Sequence, residues 1–154
     1  MKYLLLFLFL ISSTNILAQL RTGLYITTGS NVDLCDNKIK LLNEEQVYCL
    51  SQEPVLETDS FESIGEILYD SVYNMRQFNI RLTPLGGKRV SAIAQKLPQH
   101  KLAVVVDGIL ISVLNLDGIY NARNIVIWDE FDSHSLEWIH KSLTKRLTKG
   151  TSKS

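Results

Sequence analysis

The chain has 154 residues, of which 45% are hydrophobic and 21% are charged, a composition typical of one folded globular domain and not of a disordered segment. Its 16 basic and 16 acidic residues balance each other. Because there is no excess of positive charge, we expect neither nucleic acid nor an anionic membrane to be the main partner.

Residues 1–18 have the layout of a secretory signal peptide. Lys2 is followed by an unbroken apolar run of nine residues from Tyr3 to Ile11, and small and polar residues then lead to Ala18. At about 1.5 Å per residue, this run covers less than half of a hydrocarbon core of about 30 Å, so a membrane-spanning helix is disfavoured. We expect cleavage near Ala18 and an extracytoplasmic mature chain, periplasmic or secreted, without a transmembrane span.

The chain contains two cysteines, Cys35 and Cys49. In an oxidising compartment, an even pair this close in sequence favours a disulfide over two free thiols. Neither a histidine nor a further cysteine lies nearby at a metal-ligand spacing, and the Cys-x-x-Cys pattern of redox proteins is absent. We therefore predict a structural disulfide.

The first predicted elements are two strands and a short helix. Alternating, β-rich residues predict strands over 23–28 and 46–51. Asp59 is expected to cap a helix over about 60–67, with Glu62 completing a capping box.

Two further β-rich runs, 67–74 and 75–83, predict a strand pair that turns around 74–77. Apolar side chains of the second run alternate with polar ones, at Phe78, Ile80 and Leu82. One face of that strand is therefore predicted to lie in the core.

A helix is predicted to begin at Thr83 and Pro84, because threonine caps a helix well and proline suits its first position. Its buried stripe falls at i, i+3, i+4 and i+7, namely Val90, Ile93, Ala94 and Leu97, and Pro98 ends it. The glycine pair at 86–87 is not a phosphate loop, because one glycine of that pattern is missing and Arg89 replaces its Ser or Thr. We expect a close backbone approach there instead.

The most apolar stretch of the chain, 102–113, is interrupted by Asp107 and Gly108. Asp-Gly between two β-rich runs is a strong hairpin signal, because a type I′ turn needs positive φ at both corner positions. The stretch therefore predicts a buried hairpin with these two residues at its corner.

The remaining elements are a turn, a strand and a helix. Asp117 and Gly118 predict a second turn, residues 124–128 a strand, and Asp132 the cap of a final helix. The apolar stripe of that helix consists of Leu136, Ile139, Leu143 and Leu147. The whole pattern predicts an α+β fold: a single antiparallel-rich sheet with two main amphipathic helices packed on one face.

Acidic residues offer the candidates for catalysis. Asp107 is either a carboxylate in an apolar site or only the corner of a turn, and the turn chemistry favours the second interpretation. Asp129, Glu130 and Asp132 could hold a cation or act as paired carboxylates, but a solvated loop with a helix cap explains them more simply. We expect no catalytic residue.

Histidine spacing does not indicate a metal site. His134 and His140 are about 240° apart around a helix, so they cannot jointly bind one ion. Glu137 and His140 form Glu-x-x-His, but di-iron bundles need a second copy of that motif on a facing helix. We therefore expect no metal and no other cofactor.

The segment FNIRLTPLGGKRVSAIAQKLPQHKLAVVVDGILISV, 78–113, resembles the head subdomain of the first large periplasmic domain of SecD, a membrane component of protein export. In both, a strand runs into a glycine-containing turn and helix, and Asp-Gly then joins two short apolar strands. The stretch YCLSQEPVLETDSFESI, 48–64, is similar to the lead-in of that subdomain. The resemblance covers about residues 46–147 and implies the head fold and contact with unfolded or exported polypeptide. It does not imply proton-driven export, because the SecD carboxylates that couple protons lie in membrane helices.

We therefore divide the chain into a signal peptide at 1–18, a strand and loop extension at 19–45, a SecD-head-like domain at 46–148, which rests on this resemblance, and a disordered tail at 149–154. The expected function is a non-catalytic binding module that contacts polypeptide or another envelope protein. The alternatives are a small secreted hydrolase that uses Asp107 or the acids at 129, 130 and 132, and an inhibitor or immunity-type protein. No oligomeric state is predicted.

Overall fold

The computed structural model describes residues 20–28, 35–117, 123–128 and 133–151. Within these ranges the elements are β1 (Gly23–Ile26), β2 (Lys38–Lys40), β3 (Val47–Cys49), β4 (Leu56–Glu57), β5 (Phe61–Ile64), β6 (Leu68–Asp70), β7 (Met75–Leu82), α1 (Pro84–Lys96), β8 (Lys101–Val106), β9 (Ile109–Asn115), β10 (Asn124–Trp128) and α2 (Ser133–Thr151). The signal peptide predicted at 1–18 lies outside the described residues.

The predicted α+β class is confirmed, but the strands do not form a single sheet. They form two four-stranded sheets, each of which we call a ladder. One four-stranded ladder has the order β4-β1-β8-β9; in the other, β7 pairs with β10 and with both β5 and β6; β2 and β3 form a separate pair. All of these strand pairs are antiparallel. Both edges of β7 and of β8 are occupied by strands of their own ladder.

Both ladders turn one face towards a shared core. The residues of β7 and β8 in this core are Phe78, Ile80, Leu82, Leu102, Val104 and Val106. Both helices bury most of their predicted stripes in the same core, through Val90, Ala94, Leu136, Ile139 and Leu143. Leu97, predicted in the stripe of α1, is instead exposed, because it follows the last helical residue, Lys96.

Strand β8 is buried on both faces. Its alternate residues Ala103 and Val105 form a second, smaller core with Leu41 and Leu50 from the region of β2 and β3. A strand that is covered on both sides reads as a continuous apolar run instead of an alternating one. This explains why residues 102–106 carry no polar side chain.

The predicted helix over 60–67 is wrong. Residues 58–60 form one 3₁₀ turn, and Phe61 then begins β5, which pairs with β7. A helix of eight residues is marginal by itself, and the extended strand instead satisfies its backbone groups against β7. The buried side chain of Phe61 adds to the preference for this arrangement.

Helix α1 begins as predicted. Thr83 Oγ1 accepts a hydrogen bond from the backbone N–H of Gly86 at 3.1 Å, and Pro84 occupies the first helical position. A Cβ atom at Gly86 would lie 3.1 Å from the carbonyl oxygen of Ser60, so glycine allows the first turn to approach that backbone closely.

Helix α2 extends further than predicted. Its backbone is helical to Thr151, so residues 149–151, assigned to a disordered tail from the sequence, continue the helix. The good helix formers Lys145, Arg146 and Leu147 carry the helix towards this end. The predicted cap, Asp132, lies outside the described residues.

Candidate functional site

Asp107 and Gly108 form the turn between β8 and β9. Their φ angles are 51° and 82°, the positive values that a type I′ turn requires. The backbone N–H of Asp107 donates to Thr22 Oγ1 at 2.9 Å, which ties the turn to the segment before β1.

The carboxylate of Asp107 also binds helix α2. Arg146 Nε donates to Oδ1 at 2.7 Å, and Arg146 Nη2 donates to the same oxygen. Partial burial by itself raises the pKa of the carboxyl, but hydrogen bonds from Arg146 and Ser142, the charge of Arg146 and a hydrogen bond from Thr22 together lower it. Asp107 is therefore a stable anion that joins the hairpin corner, the segment before β1 and α2.

An open cavity of about 530 Å³ borders this ion pair. Arg21 and Glu57 also line the cavity, and their side chains lie 3.4 Å apart. A carboxyl that exchanges protons near neutral pH needs a raised pKa, whereas that of Asp107 is lowered. The bonds of Asp107 to Thr22 and Arg146, together with this lowered pKa, favour a structural role over that of a general acid or base.

The other acidic candidates are placed less completely. Asp117 is exposed after the buried Leu116, and its partner in the predicted turn, Gly118, lies outside the described residues. Asp129, Glu130 and Asp132 also lie outside the described residues, so the hydrolase hypothesis based on these acids stays a prediction.

The Glu-x-x-His pair of α2 has other partners. Glu137 Oε1 accepts from Arg76 Nη1 at 2.6 Å. His140 Nε2 lies 2.8 Å from the carbonyl oxygen of Gly65 and donates to it, because a carbonyl only accepts. Among the described residues, no group of three His, Cys, Asp or Glu side chains could hold a metal ion.

The two cysteines, Cys35 and Cys49, form a disulfide, with Cα atoms 5.8 Å apart. The Thr28 hydroxyl lies 2.8 Å from Cys49 Sγ, and the backbone N–H of Thr28 donates to the Cys49 carbonyl at 2.8 Å. These two contacts hold Cys49 of β3 beside the end of β1, and the disulfide joins Cys35 to the same place.

A groove that the sequence did not predict runs beside β9. We call it the β9 groove; it has a volume of about 270 Å³ and is lined by Leu41, Glu44, Gln46, Tyr48, Ile111, Ser112, Val113, Leu114 and Trp128. Strand β9 is the last strand of its ladder. At its outer edge the Leu110 carbonyl accepts from the Leu42 N–H at 2.9 Å, and beyond Leu110 no strand of the described part of the chain pairs with this edge.

The ladder pattern shows which backbone groups of β9 point outward. The Lys101 carbonyl accepts from the N–H of Thr27, the residue after β1, so the backbone groups of Lys101 face β1. Because the backbone groups of successive residues in a strand point to opposite edges, those of Leu102 face β9. Leu114, the partner of Leu102, therefore faces β8. The N–H and C=O groups of Val113 and Asn115 consequently point to the open edge beside the groove.

An exposed apolar hairpin adjoins the groove. We call Leu68 and Tyr69 of β6, together with Val72 and Tyr73 of the turn that follows it, the β6–β7 tip; these residues are 61%, 62%, 83% and 65% exposed. The ring of Tyr73 meets Trp128 edge to face, with centroids 5.4 Å apart. Because Trp128 also lines the β9 groove, the tip and the groove form one surface.

The sequence does carry a signal for the tip. Four large apolar residues fall within positions 68–73, on both parities of the strand pattern, so they cannot all face the core. For the groove there was no signal, because it depends on which strand ends the ladder.

These features define an α+β module in which two antiparallel ladders and two helices enclose a shared main core, with an open strand edge on its surface. The same fold occurs in SecDF. A SecDF chain described as a membrane component that enhances protein export superposes with a TM-score of 0.56 and 19% identity, over 83% of this chain and 64% of that one. A SecDF crystal structure in a super-membrane-facing form gives a TM-score of 0.55 and 20% identity, over 85% and 19%.

The resemblance inferred from the sequence is thus confirmed at the level of the fold, that of a SecD-like periplasmic domain. The chain spans less than two thirds of either SecDF chain. No protein-family model and no curated protein matches the sequence. None of the helices in the described ranges combines the length and hydropathy needed to cross a membrane.

Proposed function

We propose that this chain is a non-catalytic, extracytoplasmic binding module that contacts extended polypeptide at the β9 groove. The open edge of β9 carries the proposal, because unpaired N–H and C=O groups on a strand edge bind an extended backbone directly. The fold likeness to a component that enhances protein export supports the same class of partner.

The expected complex is an added strand. A segment of polypeptide pairs with the outward groups of Val113 and Asn115, while its alternate side chains contact the groove walls formed by Tyr48, Leu114 and Trp128. Only a short stretch of edge is open, so we expect weak, transient binding, with a dissociation constant on the order of micromolar or higher.

Two observations support the non-catalytic part of the proposal. The lowered pKa of Asp107 opposes proton exchange near neutral pH, and the carboxylate already accepts bonds from Arg146 and Thr22.

The disulfide supports the extracytoplasmic part of the proposal, because disulfides persist in an oxidising compartment. N-terminal sequencing of the exported protein should find cleavage near Ala18; an uncleaved, cytoplasmic chain would contradict this location.

Val113→Pro tests the edge. Proline removes the outward N–H, and an edge position whose N–H faces solvent tolerates it. Loss of one hydrogen bond costs about 1 kcal/mol, so binding of a reduced, permanently unfolded polypeptide should weaken at least about fivefold in fluorescence anisotropy.

Val113→Thr is the matched control, because it keeps the N–H and the β-branched shape. Thermal melting should confirm that both variants are folded. If wild-type protein does not bind the unfolded polypeptide, or if Val113→Pro binds as well as Val113→Thr, the proposal fails.

A further inference from the structure

Hydrogen bonds within the turn hold the β6–β7 tip in its exposed position. Asp70 Oδ1 accepts from the backbone N–H groups of Val72 at 2.9 Å and Tyr73 at 3.2 Å. The Tyr69 hydroxyl bonds to the Asn74 side chain, and Asn74 adopts a positive φ of 53°. These bonds hold the turn in one shape that presents its apolar side chains to solvent.

Such a cluster calls for a partner. Single exposed apolar residues are ordinary, but four large ones on one short hairpin expose enough apolar surface to mark a contact site. Tyr73 joins this cluster to Trp128, which is also a wall of the β9 groove. A segment paired with β9 therefore places neighbouring side chains within reach of the Tyr73–Trp128 pair.

Charge in the groove does not favour an ionic ligand. Glu44 is the charged residue among those lining it, and the Lys101 ammonium lies 5.9 Å from the centroid of the adjacent Tyr48 ring. The two opposite charges leave the surface close to neutral. Selection at this surface must therefore come from apolar and aromatic contact.

We propose that the β6–β7 tip and Trp128 select aromatic and large apolar side chains in the polypeptide that pairs with β9. This inference rests on the proposed function: the strand edge binds any extended backbone, and the aromatic surface decides which segments are preferred. Edge-to-face aromatic contacts and apolar burial supply the preference.

The test uses fluorescein-labelled dodecapeptides of a polar, β-forming host sequence in which one serine at successive positions is replaced by phenylalanine. We expect wild-type protein to bind the best phenylalanine peptide about fivefold more tightly than the serine host, from the magnitude of aromatic pair energies. Tyr73→Ser and Val72→Ser should remove that advantage. Both side chains are exposed, so neither change threatens folding.

Leu85→Ser is the matched control, because Leu85 is 60% exposed on α1, away from this surface. It should keep the full preference. In a Trp138→Phe background, Trp128 is the remaining tryptophan, so its emission should shift when the phenylalanine peptide binds and stay unchanged with the serine host.

The possible failures are distinguishable. Equal binding of phenylalanine and serine peptides, with Val113→Pro still weakening both, overturns the selection and leaves the proposed function standing. A preference that survives in Tyr73→Ser also overturns it. If no peptide binds wild-type protein, the proposed function falls and the selection with it. Sedimentation of a self-associated form lost in Val72→Ser, or tip-dependent binding to zwitterionic vesicles, would identify a different occupant and overturn the inference.

Discussion

Asp107 combines two roles that are usually separate. Aspartate tolerates the left-handed conformation of the turn better than most residues, and its carboxylate also binds Arg146 on a distant helix. The corner of the hairpin is therefore anchored and is not a freely solvated tip. A carboxylate beside an arginine in a cavity resembles a catalytic arrangement, but a lowered pKa does not suit a general acid or base that works near neutral pH.

Asp107→Asn should keep the turn, because Asn-Gly serves a type I′ turn equally well. It removes the charge that pairs with Arg146, which is 47% exposed, so solvent screening limits the loss of stability to about 1 kcal/mol. Asp107→Ala should lose about 2 kcal/mol, since alanine also resists a positive φ. Urea unfolding measures both; an Asp107→Asn protein that keeps its stability but loses its biological activity would contradict the structural role.

The same residue makes a prediction about pH. Because folding lowers the pKa of Asp107, its contribution to stability is complete above the unfolded pKa of about 4 and is lost as the pH falls through the lower folded pKa. The difference in free energy of unfolding between wild type and Asp107→Asn should therefore narrow below about pH 4. A difference that is the same at pH 3 and pH 7 would show that the charge is not involved.

At the scale of elements, the β2–β3 pair depends most on its surroundings. Two strands of three residues each are too short to be stable alone. They are held by the disulfide, by the Leu42–Leu110 hydrogen bond and by the small core against Ala103 and Val105. The disulfide thus maintains the cover over the second face of β8.

Removing the disulfide in a Cys35→Ser/Cys49→Ser variant should lower the free energy of unfolding by about 3 kcal/mol, the value for a closed loop of about 15 residues. Amide exchange should increase first in β2 and β3. Reductant should destabilise wild-type protein to a similar degree and leave the double variant unchanged. Two free thiols in mass spectrometry of the protein purified without reductant would remove the basis of this prediction.

Elements were predictable where local chemistry determines them. Thr83-Pro84 at the start of α1 and Asp107-Gly108 at the hairpin corner act through neighbouring backbone, so they could be recognised from the sequence. The segment after Asp59 could not, because its pairing with β7 depends on residues far along the chain. The β9 groove was missed for the same reason, since strand order decides which edge stays open.

At the scale of the whole molecule, α2 holds the two ladders together. It packs against β5 of one ladder and β8 of the other, and its apolar stripe reaches their shared core. No strand of one ladder pairs with a strand of the other among the described residues, so the two ladders are joined by this helix and by the shared core. Unfolding should therefore be cooperative across both ladders.

Ile139→Ala tests this connection. Ile139 is fully buried, so the change should lower the free energy of unfolding by about 2–5 kcal/mol. Hydrogen exchange should rise together in β7 and β8. Thr144→Ala, at an exposed position of the same helix, is the control and should have little effect. Exchange that rises in only one ladder would mean that the two unfold independently.

The central position of β1 has a consequence for how the molecule reaches this structure. β1 lies between β4 and β8, and Gly23 pairs with Val105 far along the chain. Closing such a long loop costs entropy before any pairing energy is gained, so refolding should take milliseconds to seconds, as in all-β domains, which stopped-flow tryptophan fluorescence would measure. A chain delivered across a membrane from its N-terminus would keep β1 incompletely paired until β8 arrives. During that interval the incompletely folded chain is itself an extended polypeptide of the kind that we propose the folded module binds.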